Sequence, residues 1–186
     1  MPQQRPEPGA EVARCYRVCD VRFPFLWADA TQPAGRWHAS GEGPCHYLST
    51  TAKAAWAEVL RHEEIHGLEE LLDMEGGALW EVQVPVPSAE PELDREVLTG
   101  DLSSYRACQE EAHRLREAGH SSLRAPSAAL LSGQAEVYCV VDGAQGATGH
   151  LVSESFVFFG PPEQIAGMPL AEGHPDPSVL ADVRHL

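Results

Sequence analysis

The sequence predicts a single α+β domain, with a mixed or antiparallel sheet and flanking helices. Its 186 residues suit one core, large enough to bury roughly two thirds of the unfolded surface without staples. Short segments rich in β-branched and aromatic residues lie around two longer stretches of helical periodicity. No internal repeat occurs, and no βαβ alternation carries a Gly-x-Gly-x-x-Gly turn, which removes the doubly wound dinucleotide-binding class.

The elements follow in order. Residues 1–12 are Pro and Gln rich and read as a disordered head. Tyr16, Val18 and Val21 make Ala13 to Val21 a strand. Thr31 to Gly43, with Pro33, Gly35, Gly41 and Gly43, is a long loop before a short strand at Cys45 to Leu48. Ser49, Thr50 or Thr51 caps a helix from about Ala52 to His66, with Gly67 ending it. Leu79 to Val86 is a strand that Pro85 and Pro87 place at an edge or terminate. Leu102 to Ala118 is the second helix, closed by Gly119, and strands follow at Ser122 to Ala125, Glu136 to Val141 and Ser155 to Phe159. The domain spans residues 13–160, and residues 161–186, Pro and Gly rich, form a partly ordered tail.

Composition narrows the function. The formal net charge of −15, from 13 Lys and Arg against 28 Asp and Glu, excludes a binder of the nucleic-acid backbone, which needs a basic face. Five cysteines without a Cys-x-x-Cys pair suggest reduced thiols rather than a disulfide framework or zinc ribbon. No signal peptide and no run of 18 apolar residues is present, so a cytoplasmic protein without a membrane span is expected.

One constellation carries chemistry: Arg17, Gly35-Arg36-Trp37, Tyr47 and Glu58. Two guanidiniums, a phenol and one carboxylate suit a ligand with a pyrophosphate at one end and a ribose at the other. The carboxylate can accept from a ribose hydroxyl and offset the positive charge of a breaking glycosidic bond. On the helical wheel Trp56, Val59 and Leu60 form the core stripe, and Glu58 points away among Ala54, Ala55 and Ile65. Each residue also has a structural reading. Glu58 can be a solvated carboxylate paired with Arg61 or His62, Trp37 a packing anchor, Tyr47 a core residue, and Ser127 a turn former after Pro126. Arg17 at mid-strand is harder to explain structurally, because a buried guanidinium demands a partner. His62-Glu63-Glu64-Ile65-His66 matches His-Glu-x-x-His, so a zinc hydrolase is an alternative. Glu64 and the early Gly67 oppose it, no third ligand stands out, and the expectation is no metal.

Tyr16-Arg17, Gly35-Arg36-Trp37, His46-Tyr47-Leu48-Ser49, Ala55-Trp56-Ala57-Glu58 and Leu123-Arg124-Ala125-Pro126-Ser127-Ala128, in that order and spacing, resemble the RES domain family. The resemblance implies a fold similar to ADP-ribosyltransferases and an enzyme acting on NAD as substrate, with no further cofactor. Such an enzyme splits off nicotinamide by hydrolysis or phosphorolysis, or moves ADP-ribose to a protein. It also implies a toxin neutralised by an antitoxin with a helix-turn-helix domain. Carried over, Arg17 and Arg36 hold pyrophosphate and ribose, and Tyr47 stacks against or orients the nicotinamide side. Glu58 serves the oxocarbenium-like centre, Trp37 and His38 lie beside the substrate, and Ser127 bonds substrate or an arginine. His38 stands where the family usually has Asn, and little past Val141 matches. From another class, a catalytically silent module that recruits a basic partner also fits the acidic surface.

Overall fold

A computed structural model describes residues 12–20, 22, 25–26, 32–85, 88–141, 144–161, 163 and 165–186, with 85, 136–141 and 144–148 given as backbone. The predicted head lies outside these residues except for Val12. Strand β1 (Val12–Asp20) and β2 (His46–Ser49) lead into helix α1 (Ala52–His62), a short α2 (Leu68–Asp73) and β3 (Gly77–Pro85). Helix α3 (Arg95–Leu98) and a 3-10 turn at Leu102–Ser104 precede α4 (Tyr105–Glu117). Strands β4 (Ser122–Pro126), β5 (Gln134–Val141), β6 (Ala144–Val152), β7 (Glu154–Phe158) and β8 (Ala166–Gly173) follow, with a 3-10 helix at Pro177–Asp182. The main sheet runs β4-β7-β2-β1-β3-β8 with each adjacent pair antiparallel, and β5-β6 form a separate hairpin. This is the α+β class expected. Among the described residues no helix is long and apolar enough to cross a membrane.

Period-2 alternation puts opposite side chains of the sheet into different cores. Cys15, Leu48, Phe156 and Phe158 pack on one face with Val82 and Val84. On the other face, α1 lays Trp56 and Leu60 against Val18, and α4 lays Cys108, Ala112 and Leu115 against Trp37, Leu123 and Val157. Burying Trp56 and Leu60 contributes roughly 1.5–3 kcal/mol each. Thr51 is the cap of α1, its hydroxyl accepting the Ala54 N–H at 3.3 Å.

Three expectations need correction. Helix α1 stops at His62, four residues early, because Glu64 takes φ +54 and the Ile65 N–H bonds back to the Leu60 carbonyl at 2.9 Å. That is a Schellman closure with Ile65 packed near Leu60, and it needs no glycine. Residues 165–186 are more than the partly ordered tail expected. β8 adds the outer strand beside β3, and Val179 and Val183 are buried against α1. The signal was hidden because β8 is largely exposed and held by backbone pairing, with Pro169 inside it. β3 ends at Pro85 as expected but lies inside the sheet, not at its edge.

Candidate active site

Antiparallel pairing of β1 with β2 is limited to Tyr16 and Ser49; beyond it the strands part. Arg17 fills the opening. Its Nη1 donates to the Tyr47 carbonyl at 3.3 Å, a group that a continued ladder would have satisfied. Among the described residues its buried Nε has no partner. Burial pushes the Arg17 guanidinium toward its neutral form. Among the described residues no carboxylate lies within 4 Å of Arg17, Arg36 or Arg61. In a chain with 28 acidic residues, three guanidiniums without an ion-paired carboxylate around one cleft give it a positive charge that suits an anion from outside.

The cleft has two parts. A cavity of about 260 Å³ is walled by Tyr16, Arg17, Ser49 and Val59. A second, of about 290 Å³, is walled by the Gly35–His38 turn, Arg61, Tyr105 and Ala128. Each alone is slightly smaller than an ordinary ligand pocket of about 300 Å³ or more. Tyr47, Glu58, His62 and Ser155 line both, so the two spaces meet at a carboxylate. The Glu58 side chain keeps 29% of its accessible surface, enough to touch a ligand, with His62 Nε2 at 4.0 Å from Oε2. Ser155 Oγ donates to Oε1 at 3.5 Å. Burial raises the Glu58 pKa, while His62, Arg61 and Arg36 pull it down.

The other predicted residues divide. Arg36 is nearly buried and already occupied: Nη1 donates to Val97 O at 3.3 Å and Ser104 Oγ at 2.8 Å, and Nη2 to Gly100 O at 2.6 Å. Its guanidinium also lies over the Tyr105 ring, 4.7 Å from the centroid. It borders the second cavity as a positive charge, but the bidentate fork expected to meet phosphate is bonded to the 97–104 segment instead. Trp37 is a packing anchor, its indole buried among Leu98, Leu115 and Leu123. Tyr47 Oη accepts the Trp37 N–H at 2.8 Å and meets His38 Nδ1 at 2.9 Å. A buried hydroxyl must also place its own proton, and His38 Nδ1 is an acceptor in reach. Burial lowers the His38 pKa, in keeping with a neutral ring. Tyr47 and His38 therefore fix the turn, and what Tyr47 offers a ligand is its ring. Gly35 is required there, since a Cβ would stand 2.6 Å from Tyr47 Oη.

Ser127 is the clearest displacement. Its buried hydroxyl accepts the Ala129 N–H at 3.3 Å and it lines neither part of the cleft. The serine at the carboxylate is Ser155, set by β7 beside Ser49 of β2. Its sequence signal was a small polar residue at the same parity as buried Val157. Arg61 was seen only as a partner for Glu58, yet it is buried, donates to Ala128 O and shares Gly100 O with Arg36. Its signal was its place on the same turn as Leu60.

The zinc alternative fails on geometry. His62 is the last residue of α1 and Glu64 is left-handed, so His66 is not one turn along the same face. His66 lies instead against His185, ring centroids 3.9 Å apart and planes tilted by 31°. Among the described residues no group of three His, Cys, Asp or Glu side chains could hold a metal.

Compared with known families, residues 14–153 match the family model described as the RES domain. No curated protein matches the chain.

Proposed function

Since this chain belongs to the RES domain family, and Glu58 joins two cavities flanked by buried guanidiniums, we propose that it cleaves the nicotinamide–ribose bond of NAD. The placement of Glu58 carries this reading. In NAD the positive charge begins on the nicotinamide ring and moves to the ribose as the C1′–N bond breaks, its electron pair leaving with the ring. Arg36 and Arg61 beside the ring disfavour the charged ground state, and Glu58 beside the ribose favours the charge that develops. Positioning and electrostatics are sufficient for a leaving group that departs neutral. With water as acceptor, a C1′–O bond forms and the released proton passes to Glu58 and on to solvent. With a phosphate dianion no proton need move.

Purified protein incubated with NAD, with and without phosphate, and analysed by chromatography tests this. Nicotinamide with free ADP-ribose means hydrolysis, with ADP-ribose phosphate phosphorolysis, and with labelled protein ADP-ribosyl transfer. Binding of NAD with no nicotinamide released would leave a silent binding module and sink the enzyme.

A further inference from the structure

A third cavity, of about 640 Å³, shares Arg17, Val18, Val59 and Glu63 with the first. The three spaces therefore form one groove with two seams, Glu58 at one and Arg17 at the other. We infer that the third cavity receives the adenosine end of the dinucleotide, an inference that rests on the NAD reading.

The order of chemistry along the groove matches the order of groups along the ligand. With the nicotinamide–ribose bond at Glu58, the pyrophosphate lies one ribose further on, where Arg17 stands with its Nε unpaired among the described residues. Beyond it the ligand continues as ribose and adenine. The floor of the third cavity is apolar, made by Trp56, Ile65 and Met74, as a purine face requires. Glu63 stands at the seam, where a carboxylate can accept from ribose hydroxyls. The far rim is the Asp20–Arg22–Glu75 ion-pair network. The reverse orientation puts the adenosine into the 290 Å³ space beside Arg36 and Arg61 and leaves the largest of the three spaces empty.

Met74 is half-buried and lines the third cavity without lining the first two. It reports occupancy in the unaltered protein, because trypsin isolates it as the sole methionine of the peptide His62 to Arg95. Oxidation of Met74 to its sulfoxide by hydrogen peroxide is followed by mass spectrometry with AMP, ADP-ribose or nicotinamide mononucleotide, after calorimetry has fixed each affinity. AMP and ADP-ribose at ten times their Kd should slow Met74 oxidation about tenfold by occupancy alone, and nicotinamide mononucleotide should not. If ADP-ribose binds but Met74 reacts unchanged, or if all three ligands protect equally, the adenosine assignment is wrong and the NAD reading stands. If none of the three binds, the NAD reading fails and this inference with it.

Discussion

Arg17 lines one part of the cleft and Arg36 the other, with Glu58 lining both, and the surroundings of the two arginines differ in one respect. Beside Arg17 the strands separate, and the backbone offers a single carbonyl, that of Tyr47. Beside Arg36 the 97–104 segment presents Val97 O, Gly100 O and Ser104 Oγ. A guanidinium surrounded by acceptors is structural and contributes charge at a distance. A guanidinium at a gap in a sheet keeps its donors for a ligand.

The largest expected effect lies between the two. Glu58→Gln should lower nicotinamide release by at least about two orders of magnitude, the scale of one preorganised electrostatic contact. A carboxyl whose pKa is raised by folding supports the folded state most at acid pH and loses that contribution as pH rises through its folded value. The glutamine protein should therefore melt no lower than wild type at pH 8, with the difference closing on acidification. Wild-type turnover in this variant would remove the carboxylate from the reaction.

The two arginines should then part. Arg17→Met should weaken ADP-ribose binding about tenfold to a hundredfold, the worth of a charge-assisted hydrogen bond, without lowering the melting temperature, because it removes an unpaired buried charge. Arg36→Lys should do the reverse. Losing the fork to Gly100 and Ser104 should cost about 1–2 kcal/mol, a few degrees in Tm for a chain of this size, with ligand affinity disturbed indirectly. Calorimetry and thermal melts on both proteins decide it; the opposite pattern would exchange the roles assigned to them.

Two smaller effects set the background. His46 lies on the far face of the sheet, its ring stacked on Phe158, with its pKa lowered to about 4 by burial. A depressed histidine favours folding above about pH 6.5, and that contribution is lost as pH falls toward 4. Denaturant titrations should show stability declining across that window, less steeply in His46→Gln. Last, His66→Ala should leave turnover within a few fold, as should a chelator; activity lost on chelation and restored by zinc would revive the metal alternative.

Local rules made much of this legible. The Ser49-Thr50-Thr51 run ahead of an apolar stripe announces α1, strand-forming residues announce β1 and β7, and the glycines around Arg36-Trp37 announce a loop. The site was legible as far as Glu58 and Arg17, because a carboxylate among alanines and an arginine in a strand both conflict with a bland structural role. Ser155 and Arg61 were not, since a serine or arginine becomes a site residue only through the strand or helix packed opposite it.

The sequence by itself determined where β1, β2, α1, β3 and α4 begin, and the strongly acidic balance of charge. These depend on neighbours a few residues apart. Only the tertiary structure decided that α1 closes at Glu64, that residues 166–173 join the sheet, and that Ser155 rather than Ser127 meets Glu58. It also decided which arginine keeps free donors. Hydrogen bonds to carbonyls some sixty residues away settled Arg36, and the place where two strands cease to pair settled Arg17. Neither is encoded in local periodicity, because both follow from which backbone groups remain unsatisfied once the chain has folded.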